Sequence, residues 1–98
     1  LKEIITRLDK SFNNRIRLGI MSILMVNDWI DFKELKELME LTDGNLASHS
    51  AALEKLQYIK IKKEFVGKKP RTSYAATAKG RKAFVNHLNA LEELIKRS

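Results

Sequence analysis

Between Lys55 and Lys82 the chain carries ten cations (Lys55, Lys60, Lys62, Lys63, Lys68, Lys69, Arg71, Lys79, Arg81 and Lys82) against a single acid, Glu64. Charge at this density repels itself unless an anion compensates it, so these residues point to a polyanionic partner. The excess is local. Residues 1–49 hold seven basic and eight acidic side chains, whereas 50–98 hold twelve and four, for a net +7. Catalytic chemistry has no comparable support. The absence of cysteine removes thiol nucleophiles, disulfide frameworks and Cys-ligated metals. His49 and His87 are far apart and belong to no metal-ligand spacing, so neither a metal nor a cofactor is expected. No P-loop, glycine-rich dinucleotide loop, nucleophile motif or paired-carboxylate constellation is present, and the chain is read as a non-enzyme.

A second group of residues could read a surface rather than grip it. At ~3.6 residues per turn, a helix over 43–56 places Leu46, Ser50, Leu53 and Gln57 on one face, with His49 and Leu56 on its flank. Gly44, Asn45, Ser48, Ala51, Ala52 and Lys55 fall on the other side. The small residues allow close approach, and Asn45 and Ser48 can donate and accept at base edges. Thr42 is a good N-cap, and Asp43 suits the positive end of the helix.

The elements that must hold these groups follow from periodicity. Apolar residues at Leu1, Ile4, Ile5, Leu8 and Phe12 predict an N-terminal helix over 1–12. Ile16, Ile20, Ile23 and Leu24, with Leu18, Met21 and Met25, predict a central buried helix. Asp31 followed by Glu34 is a capping-box spacing, opening a short helix with Phe32, Leu35, Leu38 and Met39 on its apolar side. From Tyr58 the period becomes two, and Tyr58–Lys62 reads as a strand with one wet face. Val66–Pro70 reads as a turn and 71–77 as the returning strand, making 58–77 a hairpin with Lys68, Lys69 and Arg71 at its tip. Thr77 then caps a final helix over 78–98, whose Phe84, Leu88, Leu91 and Ile95 form a short heptad seam. Lys79, Arg81 and Lys82 crowd the start of that helix, where the dipole disfavours cations and a phosphate would suit them. Trp29 is expected as a turn-packing core aromatic, and His87 as a helix-surface or dimer-interface residue.

Helix, helix, tight turn, helix and basic hairpin is the order of a winged helix-turn-helix. The fold class is therefore mainly α with a small β-hairpin (α+β), in one domain over 1–98 with a core at 13–77. The length is enough for one core that buries roughly two-thirds of the unfolded surface. The two apolar stripes exceed what one small core hides, so Leu1, Ile5, Leu8, Phe84, Leu88, Leu91 and Ile95 are candidate homodimer contacts. No apolar run approaches the roughly 18 residues of a membrane span. The opening LKEIITRLDK has two acids and no continuous apolar stretch, so no secretory signal and no membrane partner are expected.

The string from Asn14 to Leu94 resembles the small winged-helix transcriptional regulators of the MarR/ArsR-like group. The resemblance is carried by Arg17-Leu18-Gly19-Ile20-Met21, Phe32-Lys33-Glu34-Leu35 and Leu41-Thr42-Asp43-Gly44-Asn45-Leu46. It continues through Leu53-Glu54-Lys55, Tyr58-Ile59, Pro70-Arg71-Thr72 and Thr77-Ala78-Lys79-Gly80-Arg81. It implies a recognition helix over 43–56, a wing over 58–77, terminal helices that pair two subunits, and double-stranded DNA as partner. By position, Thr42, Gly44, Asn45, Ser48 and His49 would lie at or near the groove, with Lys68, Lys69 and Arg71 at the wing tip. The chain departs from the family's pattern at Ser50, where relatives usually have Leu, and at Gln57, where they usually have Gly. If Gln57 needs φ > 0, it costs on the order of 1 kcal/mol. The expected function is a cytoplasmic, nucleoid-associated transcriptional regulator. The alternatives are a winged helix that meets an acidic protein, or an RNA-binding module, which the low aromatic content disfavours.

Overall fold

A computed structural model describes the backbone of residues 1–97 and the side chains of residues 1–96; Ser98, the end of the predicted last helix, lies outside the described residues. Helix α2 (Arg15–Met25) starts where Asn14 leaves the helical region and its side-chain oxygen accepts from the N–H groups of Ile16 and Arg17, at 2.9 and 3.1 Å. That satisfies two of the donors every helix start leaves open. Ile20, Met21 and Leu24 of α2 are fully buried and form the centre of the core with Leu35, Leu46 and Leu53.

The predicted continuous helix over 1–12 is instead a short helix α1 (Lys2–Thr6) and a 3-10 turn at Lys10–Asn13. Asp9 is the cause. Its backbone is extended, and its carboxylate accepts from the Ser11 N–H at 2.8 Å, a local bond that competes with helix. The break swings Phe12 into the core, edge-on to Phe84 with centroids 5.2 Å apart and stacked near Tyr58 at 5.6 Å. His87, expected on a surface, is only 3% exposed, and its Nδ1 accepts from the Asp9 N–H at 3.0 Å. It pins the N-terminal turn to the last helix.

Helix α3 (Phe32–Met39) is capped by Asp31, whose carboxylate accepts from the Glu34 N–H at 2.8 Å. Leu38, expected on the apolar side of α3, is exposed. Helix α4 (Asp43–Lys55) follows after a tight turn and is capped by Thr42. Both helices end in a left-handed residue: Glu40 (φ 53) after α3 and Gln57 (φ 65) after α4. The Leu41 N–H reaches Lys36 O and the Tyr58 N–H reaches Leu53 O, the six-to-one bond that closes such a helix end. Gln57 therefore occupies the strained position anticipated for it.

Strands β2 (Ile59–Val66) and β3 (Lys69–Ala76) form the hairpin. A two-residue strand β1 (Ile30–Asp31), unseen in the sequence, pairs Ile30 with Tyr74 and Asp31 with Ser73, giving a three-stranded antiparallel sheet in the order β1–β3–β2. Val66 pairs with Lys69, so the turn is Gly67-Lys68 alone, with positive φ only at Gly67, as a type II′ turn requires. The predicted turn over 66–70 is thus too long. Pro70 lies in β3 opposite Phe65, the first non-hydrogen-bonded pair beyond the turn, where its missing N–H leaves the ladder intact.

Helix α5 (Ala78–Arg97) begins at Thr77, whose hydroxyl accepts from the Gly80 N–H at 2.9 Å and donates to Gln57 O at 2.7 Å. A Cβ at Gly80 would lie 2.0 Å from Tyr58 O, so glycine is what lets α5 abut the root of the hairpin. Phe84, a predicted dimer residue, is only 4% exposed and belongs to this chain's own core. Ile4 and Phe12 are buried with it, which leaves Leu1, Ile5, Leu88, Leu91 and Ile95 as the exposed part of the two stripes and Leu8 half-buried.

Candidate nucleic-acid interface

Helix α4 is held by Leu46, Ser50 and Leu53, all buried. The hydroxyl of Ser50, which replaces an apolar residue on the inward face, is not stranded. It donates to Ala47 O at 3.2 Å, within its own helix, and lies beside the Tyr74 hydroxyl of β3. Burial, with the Glu54 charge adding to it, pushes the Tyr74 hydroxyl above its ordinary range, against the opposing effect of the neighbouring Ser50 hydroxyl.

The outward face of α4 carries the residues singled out from the sequence. Thr42, Gly44, Asn45 and Ser48 are exposed and His49 is half-buried. They do not play equal parts. The Thr42 hydroxyl accepts from the Asn45 N–H at 3.1 Å and is occupied as a cap. Asp43 is paired with Lys36 Nζ at 2.8 Å. Nδ1 of His49 accepts from Arg17 Nε at 3.2 Å, so the neutral ring carries its proton on Nε2. Among the described residues, the Asn45 amide and the Ser48 hydroxyl have no side-chain partner. Gly44 has open space where a Cβ would stand.

A cleft of about 270 Å³ separates α4 from the hairpin, with Ala47, Ser50, Ala51 and Glu54 on one wall and Ile61, Lys63, Thr72 and Tyr74 on the other. Ala47 and Ala51 of α4 thus face the wing across this cleft, and Lys63, not among the predicted site residues, borders the same space. On the α2 side, Arg15 and Asn45 line a depression of about 410 Å³ with Met39, Glu40 and Leu41.

The wing cations divide into engaged and unengaged groups. Arg71 is not a tip residue. It sits opposite Glu64, with its guanidinium 3.9 Å from the Asp31 carboxylate. Lys62 lies 4.4 Å from the centre of the Trp29 ring and 4.0 Å from Glu64. Trp29 is 44% exposed rather than a core aromatic, because β1 places it on the outer face of the sheet. Lys63, Lys68 and Lys69 are exposed and make no ion pair among the described residues. Alternation from Ile59 and Ile61 puts Lys63 on the inward side of β2, and the cleft shows that α4 borders it there.

The expected phosphate triad at the start of α5 is not one unit. Arg81 donates to Met25 O and Leu24 O at 3.1 and 3.4 Å, closing the C-terminus of α2, which has no basic residue in its own last turn. That role places its charge at the negative end of a helix dipole. Lys79 and Lys82 stay exposed. Among the described residues, no three His, Cys, Asp or Glu side chains are grouped to hold a metal, and no helix is long and apolar enough to cross a membrane.

Comparison with known proteins agrees with this geometry. A family model described as a winged helix DNA-binding domain matches residues 16–95. The chain is 36% identical over 87 residues to an uncharacterised protein of Methanocaldococcus jannaschii, an alignment covering 89% of this chain and 95% of that one. A transcriptional regulator homologue from Pyrococcus horikoshii superposes with a TM-score of 0.85 at 32% identity, covering 97% of this chain and 92% of its own. The YusO protein of Bacillus subtilis superposes at 0.78 with 16% identity, covering 98% and 70%, a likeness of fold alone.

Proposed function

Since the chain belongs to the winged helix DNA-binding domain family, we propose that it is a sequence-specific, double-stranded-DNA-binding transcriptional regulator that acts as a homodimer. In this reading it is MarR-like in arrangement, works on nucleoid DNA in the cytoplasm, and has no catalytic step of its own. The observation that carries the proposal is the pairing of α4 with the wing. A helix with an exposed, unengaged polar face stands beside a hairpin whose lysines are unpaired among the described residues, and the two border one cleft through Ala51 and Lys63. The helix face suits the major groove, and the lysines suit the phosphate backbone. Asn45 and Ser48 read base edges, Gly44 permits close approach, and His49 offers Nε2–H at the edge of the groove. Lys63, Lys68 and Lys69 hold the backbone.

The dimer is supported by Leu1 and Ile5, at the start of and on α1, and by Leu88, Leu91 and Ile95 on α5, exposed apolar residues on segments tied together by the Arg7–Glu93 ion pair. A twofold pairing through these helices would set two copies of α4 to read half-sites about 34 Å apart.

The test is a fluorescence titration of the full chain against duplexes enriched from a random library, single-stranded RNA and heparin, alongside sedimentation. Specific duplex binding by a dimer is expected. Asn45→Ala and Ser48→Ala should each cost about 1–3 kcal/mol at the preferred site and little on random duplex. Equal affinity for heparin and every duplex would sink the reading, as would silent substitutions at both positions.

A further inference from the structure

The wing ends in a feature that phosphate binding does not use. Phe65 is 76% exposed and Val66 53%, beside the Gly67-Lys68 turn. Most phenylalanines of a folded domain are buried, and an apolar hairpin tip invites unwanted pairing unless it has a partner. Strand alternation shows where this one faces. Ile59, Ile61, Lys63 and Phe65 share a side of β2, opposite Ala76, Tyr74, Thr72 and Pro70 of β3. Ile61 and Tyr74 join the core on that side, and Lys63 and Thr72 border the cleft beside α4. Phe65 and Pro70 therefore continue the cleft-facing surface of the hairpin out to its tip. At ~3.4 Å per residue, Phe65 stands about 14 Å beyond Ile61. In a non-hydrogen-bonded pair the two side chains stand close together, so the pair presents one apolar edge.

Resting on the reading of α4 as a major-groove helix, we propose that Phe65 with Pro70 is an apolar wedge that enters the minor groove of the same duplex, next to the groove α4 occupies. Charge complementarity selects this occupant. Lys63, Lys68 and Lys69 surround the tip without ion-pair partners among the described residues, matching a narrow groove with phosphate rims and a floor of sugars and base edges. Phe and Pro are side chains that minor-groove proteins insert at base steps, unstacking them and bending the duplex. The wedge favours flexible pyrimidine–purine steps, so it adds sequence preference where the wing makes no base-edge hydrogen bond.

The test uses the full chain and its enriched duplex, with 2-aminopurine substituted step by step through the flanks of each half-site. Wild type should raise the fluorescence at one flanking step. Phe65→Ala should abolish that rise and weaken binding by about tenfold, with the salt slope unchanged because no charge is lost. Phe65→Leu should restore most of both, since Leu is also a wedge residue. Matching melting temperatures check that the exposed substitutions leave the fold alone. If wild type binds the duplex but Phe65→Ala binds equally and every step stays quenched, the wedge is wrong while the DNA-binding reading stands. Failure of wild type to bind any duplex would remove the DNA-binding reading itself. Loss of dimerisation in Phe65→Ala would instead assign the tip to a second copy of the chain. Loss of binding to phosphatidylserine vesicles, with DNA binding intact, would assign it to a lipid surface. Either result overturns the proposal.

Discussion

Replacing Lys68 and Lys69 together by Ala separates electrostatic anchoring from sequence reading, and the structure sets the size of the effect. Both side chains are exposed and make no ion pair among the described residues, so each is free to displace a counterion from a phosphate. Each contact contributes about 0.9 to the slope of log K against log salt on duplex DNA, so losing both lowers the slope by about 1.8. Over a fourfold rise in salt, from about 50 to 200 mM, a slope difference of that size shrinks the affinity advantage of wild type about twelvefold. The loss should be similar on preferred and random duplexes, because phosphates carry no sequence information. Arg71→Ala should behave differently. Its guanidinium already faces the Asp31 carboxylate at 3.9 Å, so its removal should leave the slope unchanged. Anisotropy titrations at four salt concentrations on two duplexes measure all of this. A full unit of slope lost with Arg71→Ala, or none with the double lysine change, would refute the division into engaged and unengaged cations.

Two further predictions concern the joints that hold the site. Gln57→Gly removes a left-handed strain of roughly 1–2 kcal/mol at the cost of roughly 0.5–1 kcal/mol in chain entropy, so it should stabilise the fold by about 0.5–1 kcal/mol in urea denaturation; a destabilised variant would refute the strain argument. Tyr58→Phe deletes the 2.6 Å bond to Asp9 and should cost about 1.5–3 kcal/mol near neutral pH, the range for a bond to a charged acceptor. Burial, with the Asp9 bond and charge, pushes the Tyr58 hydroxyl up to about 12. Its contribution is therefore complete below the ordinary tyrosine value near 10 and lost as pH rises through about 12, a basic limb absent from Tyr58→Phe. Burial would raise the Asp9 carboxyl, but bonds from Tyr58 and Ser11 and the nearby His87 hold it below its ordinary 3.8. That contribution is present above the ordinary value and is lost as pH falls through the lowered one, so the variant's acid limb should be shallower. Superimposable pH–stability curves for wild type and variant would refute the coupling.

The elements that carry the interface were legible because their signals are local. Thr42 before an apolar-periodic run, and Tyr58–Lys62 alternating apolar and charged, each require a few neighbouring residues and nothing more. The errors fall where the deciding partner is distant. Strand β1 is two residues long and shows no period; it exists because β3 offers Tyr74 and Ser73. Arg81 looked like a phosphate ligand until the end of α2, 56 residues earlier in the chain, supplied two carbonyls for it. The spacing of Phe84, Leu88, Leu91 and Ile95 correctly puts them on neighbouring positions of one helix, but spacing does not name the surface they meet. The first is claimed by Phe12 once Asp9 has broken the N-terminal helix, and the others stay exposed. Trp29 shows the converse: a large aromatic stays on the outer face because a two-residue strand fixes its side of the sheet.

What positions the helix against the wing is a joint at the root of the hairpin. Gln57 turns the chain out of α4 in a left-handed conformation that a glycine would adopt more cheaply, and its carbonyl is taken by the Thr77 hydroxyl. The same hydroxyl caps α5 at Gly80, and the Thr77 N–H donates to Tyr58 O at 3.0 Å. Gly80 lets α5 sit against that carbonyl. Three elements (α4, the hairpin and α5) are thereby fixed within a few bonds of one another, and Asp9 and His87 extend the connection to the N-terminal turn. The apolar residues offered for dimerisation and the polar residues offered to DNA are thus at two ends of one hydrogen-bonded path. In the proposed dimer, the spacing between two copies of α4 would be set by the rigidity of this joint as much as by the contacts between subunits.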